Sequence, residues 1–81
     1  MAGVISILAG LIEAIDDLPT YPFRPDVKKA SDYLDRAAIP SEEVAADLLR
    51  IVVEGARIVR GFPFGANLDE ADAALAKRSI A

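Results

Sequence analysis

Apolar side chains recur at three- and four-residue steps in the first part of the chain, which is the pattern of a helix that buries one face. Over about residues 3–18 this stripe consists of Val4, Leu8, Leu11, Ile15 and Leu18, and it is widened by Ile5, Ile7 and Ile12. Pro19 ends the predicted helix, because a proline disfavours helical geometry in the residue before it. The early part of this helix has almost no polar face, so we expect it to be buried on all sides.

Two further helices carry thinner apolar stripes. One is predicted from about Val27 to Ala38, with Asp26 as its N-cap and Pro40 as its stop. The other is predicted near the end of the chain, from about Leu68 to Ser79, and Asn67 begins the spacing of a capping box there. These two helices are expected to show more of their surface to water.

Between them lies a long apolar helix. It is predicted to begin after Ser41, whose hydroxyl can accept a hydrogen bond from a free backbone N–H, and to end near Gly61, a residue typical of C-caps. Its polar residues fall on one narrow line at three- and four-residue spacing: Asp47, Arg50, Glu54 and Arg57. Such residues can pair along the helix.

The two halves of the chain match each other at an offset of 41 residues, so that residues 1–40 fall on residues 42–81. Seven positions are identical, and the Pro22-Phe23 turn falls on Pro63-Phe64. About four identities are expected by chance in a chain this rich in alanine, leucine and isoleucine, so coincidence stays open as the alternative to a duplication. If the halves are copies, each is a helical hairpin.

These elements predict an all-α fold, a four-helix arrangement built from two pseudo-repeated helical hairpins in a single domain covering residues 1–81. The first and third helices are expected in the middle, covered by the second and fourth. The two turns are expected to place Phe23 and Phe64 at the two ends of the core. The pattern leaves open whether the helices close into one bundle or form a flatter pair of hairpins that another molecule completes.

Size and composition add an expectation about assembly. The chain has 81 residues, 53% of them hydrophobic, and contains neither cysteine nor histidine for a disulfide or a structural zinc site. We therefore expect self-association, most simply as a homodimer, to cover the excess apolar surface.

Net charge and the opening segment bear on partners and location. A net charge of −4 disfavours nucleic acid and anionic membranes as partners. The first twelve residues are uncharged, but they are too short to span a bilayer and lack the basic region of a signal peptide. We expect a cytoplasmic protein, and the frequent alanine and the excess of arginine over lysine favour a bacterial or phage source.

The residue inventory does not favour catalysis. The two commonest reactive side chains, histidine and cysteine, are absent, and there is no phosphate-binding glycine motif or calcium-loop spacing. Acidic residues cluster at Glu13, Asp16 and Asp17, and we interpret them as solvated residues that flank a core helix. The sequence predicts no enzyme activity, no cofactor and no metal site.

Two weaker patterns have a structural and a functional interpretation. Prolines at every third position, Pro19, Pro22 and Pro25, have the repeat of a polyproline II ligand, but the second half keeps only Pro63, which favours a stiff link. One side of the first helix carries small residues that would allow close packing or self-association: Ala2, Ser6, Gly10 and Ala14.

The sequence therefore predicts a small non-enzymatic interaction module that self-associates and binds or blocks a partner protein through apolar helix faces. The alternative is a structural subunit of a larger phage or bacterial assembly. The residues predicted to contact a partner are Val4, Ile5, Leu8, Leu11, Ile12, Ile15, Ile51, Val52 and Ile58.

Overall fold

A computed structural model describes the backbone of residues 3–80 and the side chains of residues 3–78. Four helices are present, and no strand occurs within the described part: α1 Val4–Asp16, α2 Arg24–Arg36, α3 Glu42–Ile58 and α4 Gly65–Ile80. The all-α, four-helix prediction is confirmed.

Helices α1 and α3 form the middle of the molecule. They pack against each other, and each also packs against both α2 and α4, whereas α2 and α4 do not contact each other over residues 3–80. The helices thus form a flattened four-helix arrangement with overall dimensions of 33 × 27 × 18 Å. One side of α1 and one side of α3 are left without a packed helix, as their exposed residues show.

Helices α1 and α3 run in the same direction. At one end Gly3 lies beside Glu42, since a Cβ added to Gly3 would be 4.0 Å from Oε1 of Glu42. The other ends meet through the turns that follow them. Helices α2 and α4 return in the opposite direction, because Tyr33 near the end of α2 accepts a 2.7 Å hydrogen bond from the backbone N–H of Ser41. Likewise Arg78 near the end of α4 pairs with Glu42 at 3.0 Å.

Helices α2 and α4 begin three residues earlier than predicted. The N-cap of α2 is Phe23, so Asp26 is a first-turn acid, and Pro25 is tolerated because the first helical turn needs no backbone donor there. Asn67 likewise lies inside the first turn of α4, and its N–H donates to the carbonyl of Phe64. The N-caps predicted at Asp26 and Asn67 were therefore wrong, since the backbone of the Pro-Phe turns already starts each helix.

The ends of α3 agree with the prediction in part. The hydroxyl of Ser41 accepts a 3.5 Å hydrogen bond from the N–H of Val44, which confirms the N-cap. The helix ends at Ile58 with Val59 as C-cap, so Gly61 is not the cap. Among the residues that the structure describes, Gly61 alone has positive φ, at 74°, a conformation that glycine adopts without steric cost and that redirects the chain toward Phe62.

The two aromatic turns come together at one end of the molecule. The rings of Tyr21 and Phe62 meet at a centroid distance of 6.2 Å, and each also contacts the phenylalanine two residues later, at 6.0 Å for Phe23 and 5.7 Å for Phe64. All three contacts have the edge-to-face geometry that aromatic pairs prefer. The expectation that Phe23 and Phe64 would mark opposite ends was wrong, because α1 and α3 are parallel.

The core lies between the four helices and is aliphatic. Its most completely buried large side chains come from the two central helices: Leu8, Leu11, Ile15, Leu49 and Val52. Each such side chain contributes about 1.5–3 kcal/mol relative to an exposed one. The linker between the two halves, residues 37–41, adds little to this core, and Ile39 within it is 90% exposed.

Candidate interaction surface

The open side of α3 carries a row of apolar side chains. Val44, Ile51 and Ile58 are separated by seven residues, nearly two helical turns, and therefore lie on one face of the helix. They are 41%, 41% and 71% exposed. We call these three residues the α3 stripe. Scattered exposed apolar residues are normal in proteins, but a row along one helix is the arrangement that interaction surfaces use.

Only part of the predicted contact set reaches this surface. Ile51 and Ile58 belong to the α3 stripe, and Val44 completes the stripe although it is not in the predicted contact set. Ile5 is half-buried against the core. The remaining six residues are packed inside the chain: Val4, Leu8, Leu11, Ile12, Ile15 and Val52. In this fold they stabilise the chain itself, and a partner can be contacted only through the exposed members.

The chain covers the apolar side of α1 with its own helices. The expectation that α1 is buried on all sides was wrong, because its outer side faces water through small or polar residues: Gly3, Ser6, Ala9, Gly10 and Glu13. A Cβ placed on Gly10 would meet nothing within 4 Å. Ala14 is half-buried, and Ala2 lies outside the described residues. A second chain is therefore not required to bury the apolar side of α1.

Acidic side chains border the α3 stripe. Glu43, Asp47 and Glu54 are exposed and lie next to the stripe on the helix surface. Asp47 pairs with Arg50 at 2.9 Å, whereas the structure shows no ion pair for Glu43 or Glu54 within the described side chains. The border of the stripe is therefore negative.

Arg57 lies on the side of the acidic border away from the α3 stripe, and its side chain extends toward α4. Arg57 forms an ion pair with Asp72 and lies 3.9 Å from Asp69. Its charge is thus balanced between α3 and α4, and it does not neutralise the glutamates beside the stripe.

Tyr21 is the one buried polar group whose side chain lacks a partner in residues 3–78. The residue is 4% exposed, and its hydroxyl makes no hydrogen bond. Burial raises the pKa of this hydroxyl, and the nearby carboxylate of Asp26 raises it further. The room for the ring comes from Gly55, where an added Cβ would be 3.3 Å from the hydroxyl and 3.2 Å from Phe23. Tyr21 is therefore a packing residue with an unsatisfied hydroxyl.

The other candidate chemistry is not brought together. No cluster of three or more potential metal-ligating side chains occurs among the described residues. Pro25 lies in the first helical turn of α2, so the three prolines do not continue one extended ligand. No helix in the described range combines the length and the apolar character needed to cross a membrane.

Comparison with known proteins identifies no relative. No family model matches the chain, and no curated protein or solved structure matches it either.

Proposed function

We propose that this protein is a non-enzymatic protein-binding module that contacts its partner through the α3 stripe. The observation that carries the proposal is the seven-residue spacing of exposed Val44, Ile51 and Ile58 on a helix whose other apolar residues are buried. Helix α3 is held by contacts with all three other helices, so the stripe is presented on a rigid support. A surface of this kind fits an apolar helix or strand of another protein.

The test compares capture of partners by the wild-type chain and by a variant with Ile51→Ser and Ile58→Ser. A matched control carries Ala9→Ser and Gly10→Ser on the exposed side of α1. Each captured protein is purified and its affinity is measured by calorimetry. We expect the α3 variant to lose binding and the control to retain it. Equal binding by both variants would reject the α3 stripe as the contact surface.

Self-association remains part of this proposal, with a homodimer as the first choice. Because the apolar side of α1 is covered within the chain, a dimer would have to use exposed residues, and the α3 stripe places three exposed apolar side chains on one helix face. Light scattering over a concentration series measures the mass directly. A monomer at every concentration would reject self-association but not partner binding.

An alternative proposal is a structural subunit of a larger phage or bacterial assembly. Strongly exposed Ile39 in the linker, together with the α3 stripe, gives separate apolar points through which copies could join. Filaments or shells seen by electron microscopy at high concentration would favour this alternative. The cytoplasmic location and the bacterial or phage source remain predictions from the sequence.

We also propose that the two halves are copies of one helical hairpin. Burial supports this at the 41-residue offset, since Leu8 and Leu49 are both fully buried and Ala30 and Ala71 are as well. Turn hydrogen bonds agree too: Leu18 donates to Ile15 as Val59 does to Ala56, and Val27 donates to Phe23 as Leu68 does to Phe64.

The duplication predicts that the order of the halves is interchangeable. Glu42 lies close to both Gly3 and Arg78, so the beginning and end of the described chain are neighbours and a short linker can join them. A permuted chain with residues 41–81 before residues 1–40, which keeps the N-cap Ser41, should fold with a similar unfolding midpoint. Failure of the permuted chain to fold would count against equivalent halves.

A further inference from the structure

We infer that the partner recognised by the α3 stripe is a positively charged amphipathic helix. This inference rests on the proposed function and adds the chemistry of the occupant. Three features support it: the shape of the stripe, which is long and narrow; the negative charge of the residues that border it; and the poorer fit of a second copy.

The shape of the surface favours a helix. The stripe runs from Val44 to Ile58 within one helix, and the 14 residue steps between them span about 21 Å at a rise of 1.5 Å per residue. Apolar residues repeated every seven positions on a partner helix would meet Val44, Ile51 and Ile58 in turn. The row is one side chain wide, so only a narrow apolar face can cover it.

The acidic residues that border the stripe favour a partner helix of positive charge. Glu43 and Glu54 are exposed and unpaired within the described side chains, while Asp47 is held by Arg50. Arg57, the next cation along, is already paired with Asp72. A partner helix with lysine or arginine beside its apolar face would supply the missing counter-charges, and complementary charge of this kind raises association rates and selects partners.

A second copy of the chain fits the same surface less well. Two α3 helices packed antiparallel about Ile51 would place Asp47 of one copy within about 2 Å, along the helix axis, of Glu54 of the other. This like-charge approach makes a cationic helix the stronger occupant of the stripe, and a dimer through the same surface the weaker one.

The test uses the full chain and two designed peptides of roughly five helical turns. Both peptides carry leucine along one face, and they differ only in having lysine or glutamate at the flanks. Binding is measured by calorimetry and by NMR of isotope-labelled protein at moderate salt. We expect the lysine peptide to bind roughly tenfold tighter than the glutamate peptide and to shift the methyl signals of Val44, Ile51 and Ile58.

A matched pair of variants separates a local site from general attraction between opposite charges. Glu54→Lys and Glu13→Lys change the net charge equally and lie at corresponding positions of the two halves, on α3 and α1. Only Glu54→Lys should weaken binding of the lysine peptide, by roughly threefold to tenfold. An equal effect of both variants, or no binding of the lysine peptide, would overturn the inference.

Two other outcomes separate the inference from the proposed function. Equal affinity for both peptides, with loss of binding in the Ile51→Ser and Ile58→Ser variant, would remove the charge preference and leave the α3 stripe as a protein-binding surface. Shifts of the stripe methyls that depend on protein concentration without peptide would identify a second copy as the occupant and overturn the cationic helix. Circular dichroism and thermal unfolding verify that each variant is folded.

Discussion

The two central helices bury apolar residues at corresponding positions, but the residue types that they expose to water differ. Leu8 and Leu11 of α1 correspond to Leu49 and Val52 of α3, and all four are essentially inaccessible to water. On the outer side, the positions of the α3 stripe correspond to Gly3, Gly10 and Asp17. The inner faces are constrained by packing in the shared core. The outer faces are free of that constraint, and among the described residues of the two helices the large exposed apolar side chains lie on that of α3.

The largest expected effect tests whether the inner faces are equivalent. Leu8→Ala and Leu49→Ala each leave a cavity at a fully buried site, so each should lower the free energy of unfolding by about 2–5 kcal/mol. Chemical denaturation monitored by circular dichroism measures both. A large difference between the two losses would show that the halves are packed differently despite their matching pattern.

The next effect contrasts two helical glycines, one beside open space and the other packed against aromatic rings. Gly10→Ala adds a methyl group into open space and should stabilise the protein by about 0.5–1 kcal/mol, because alanine is the better helix former. Gly55→Ala presses against Tyr21 and Phe23 and should destabilise it by about 1 kcal/mol. Thermal unfolding of the two variants gives the signs. A stabilising Gly55→Ala would mean that the aromatic turn relaxes easily.

A smaller effect concerns the turns that join each central helix to its neighbour. Tyr21 corresponds to Phe62, and its hydroxyl is buried without a partner. Tyr21→Phe should therefore be neutral or stabilising by up to about 1 kcal/mol at neutral pH. A clear loss of stability would indicate that the hydroxyl has a bonding role.

The same substitution changes the response to high pH. Because burial and Asp26 raise the pKa of Tyr21 in the folded chain above its ordinary value of 10.0, the folded state holds this proton more tightly than the unfolded state. The resulting stability is fully present below pH 10.0 and is lost as pH rises through the higher folded value. The stability difference between wild type and Tyr21→Phe should therefore change above pH 10.0 and stay constant below it.

The smallest effect distinguishes the charged ends of the central helices. Arg57 on α3 is paired with Asp72, whereas its counterpart Asp16 on α1 has no ion pair among the described residues. Arg57→Ala should cost at most about 1 kcal/mol, and less at high salt. Asp16→Ala should be neutral or slightly stabilising, because an acid at the end of a helix opposes the helix dipole. Urea titrations at two salt concentrations compare them.

The fold was predictable to the extent that it depends on local periodicity. The three- and four-residue spacing of apolar residues identified all four helices, and Ser41 was recognised as an N-cap from its type and position. The starts of α2 and α4 were misplaced because Pro25 and Gly65 look like turn residues by composition but lie within the first helical turn. The N-cap preferences of single residue types did not reveal that the backbone of the Pro-Phe turns begins both helices.

The candidate interaction surface was predictable only in part, because the exposure of a side chain depends on the tertiary structure. Leu8 and Ile51 are equally apolar in the sequence, yet one is fully buried and the other is 41% exposed. The face of its helix on which each residue lies decides this, since Leu8 lies on the inner face with its counterpart Leu49 and Ile51 on the outer face with its counterpart Gly10. The seven-residue spacing from Val44 through Ile51 to Ile58 was the available signal, and it was obscured because nearly all of α3 is apolar.

The linker at residues 37–41 has a practical consequence. Helix α2 on one side of it packs against α3 on the other, and α1 packs against α4, so the two halves hold each other through their sides and not through the peptide that connects them. A protease that cuts at exposed Ile39 would therefore yield two fragments that stay together under native conditions. Gel filtration would show one species, and only a denaturing gel would show the break.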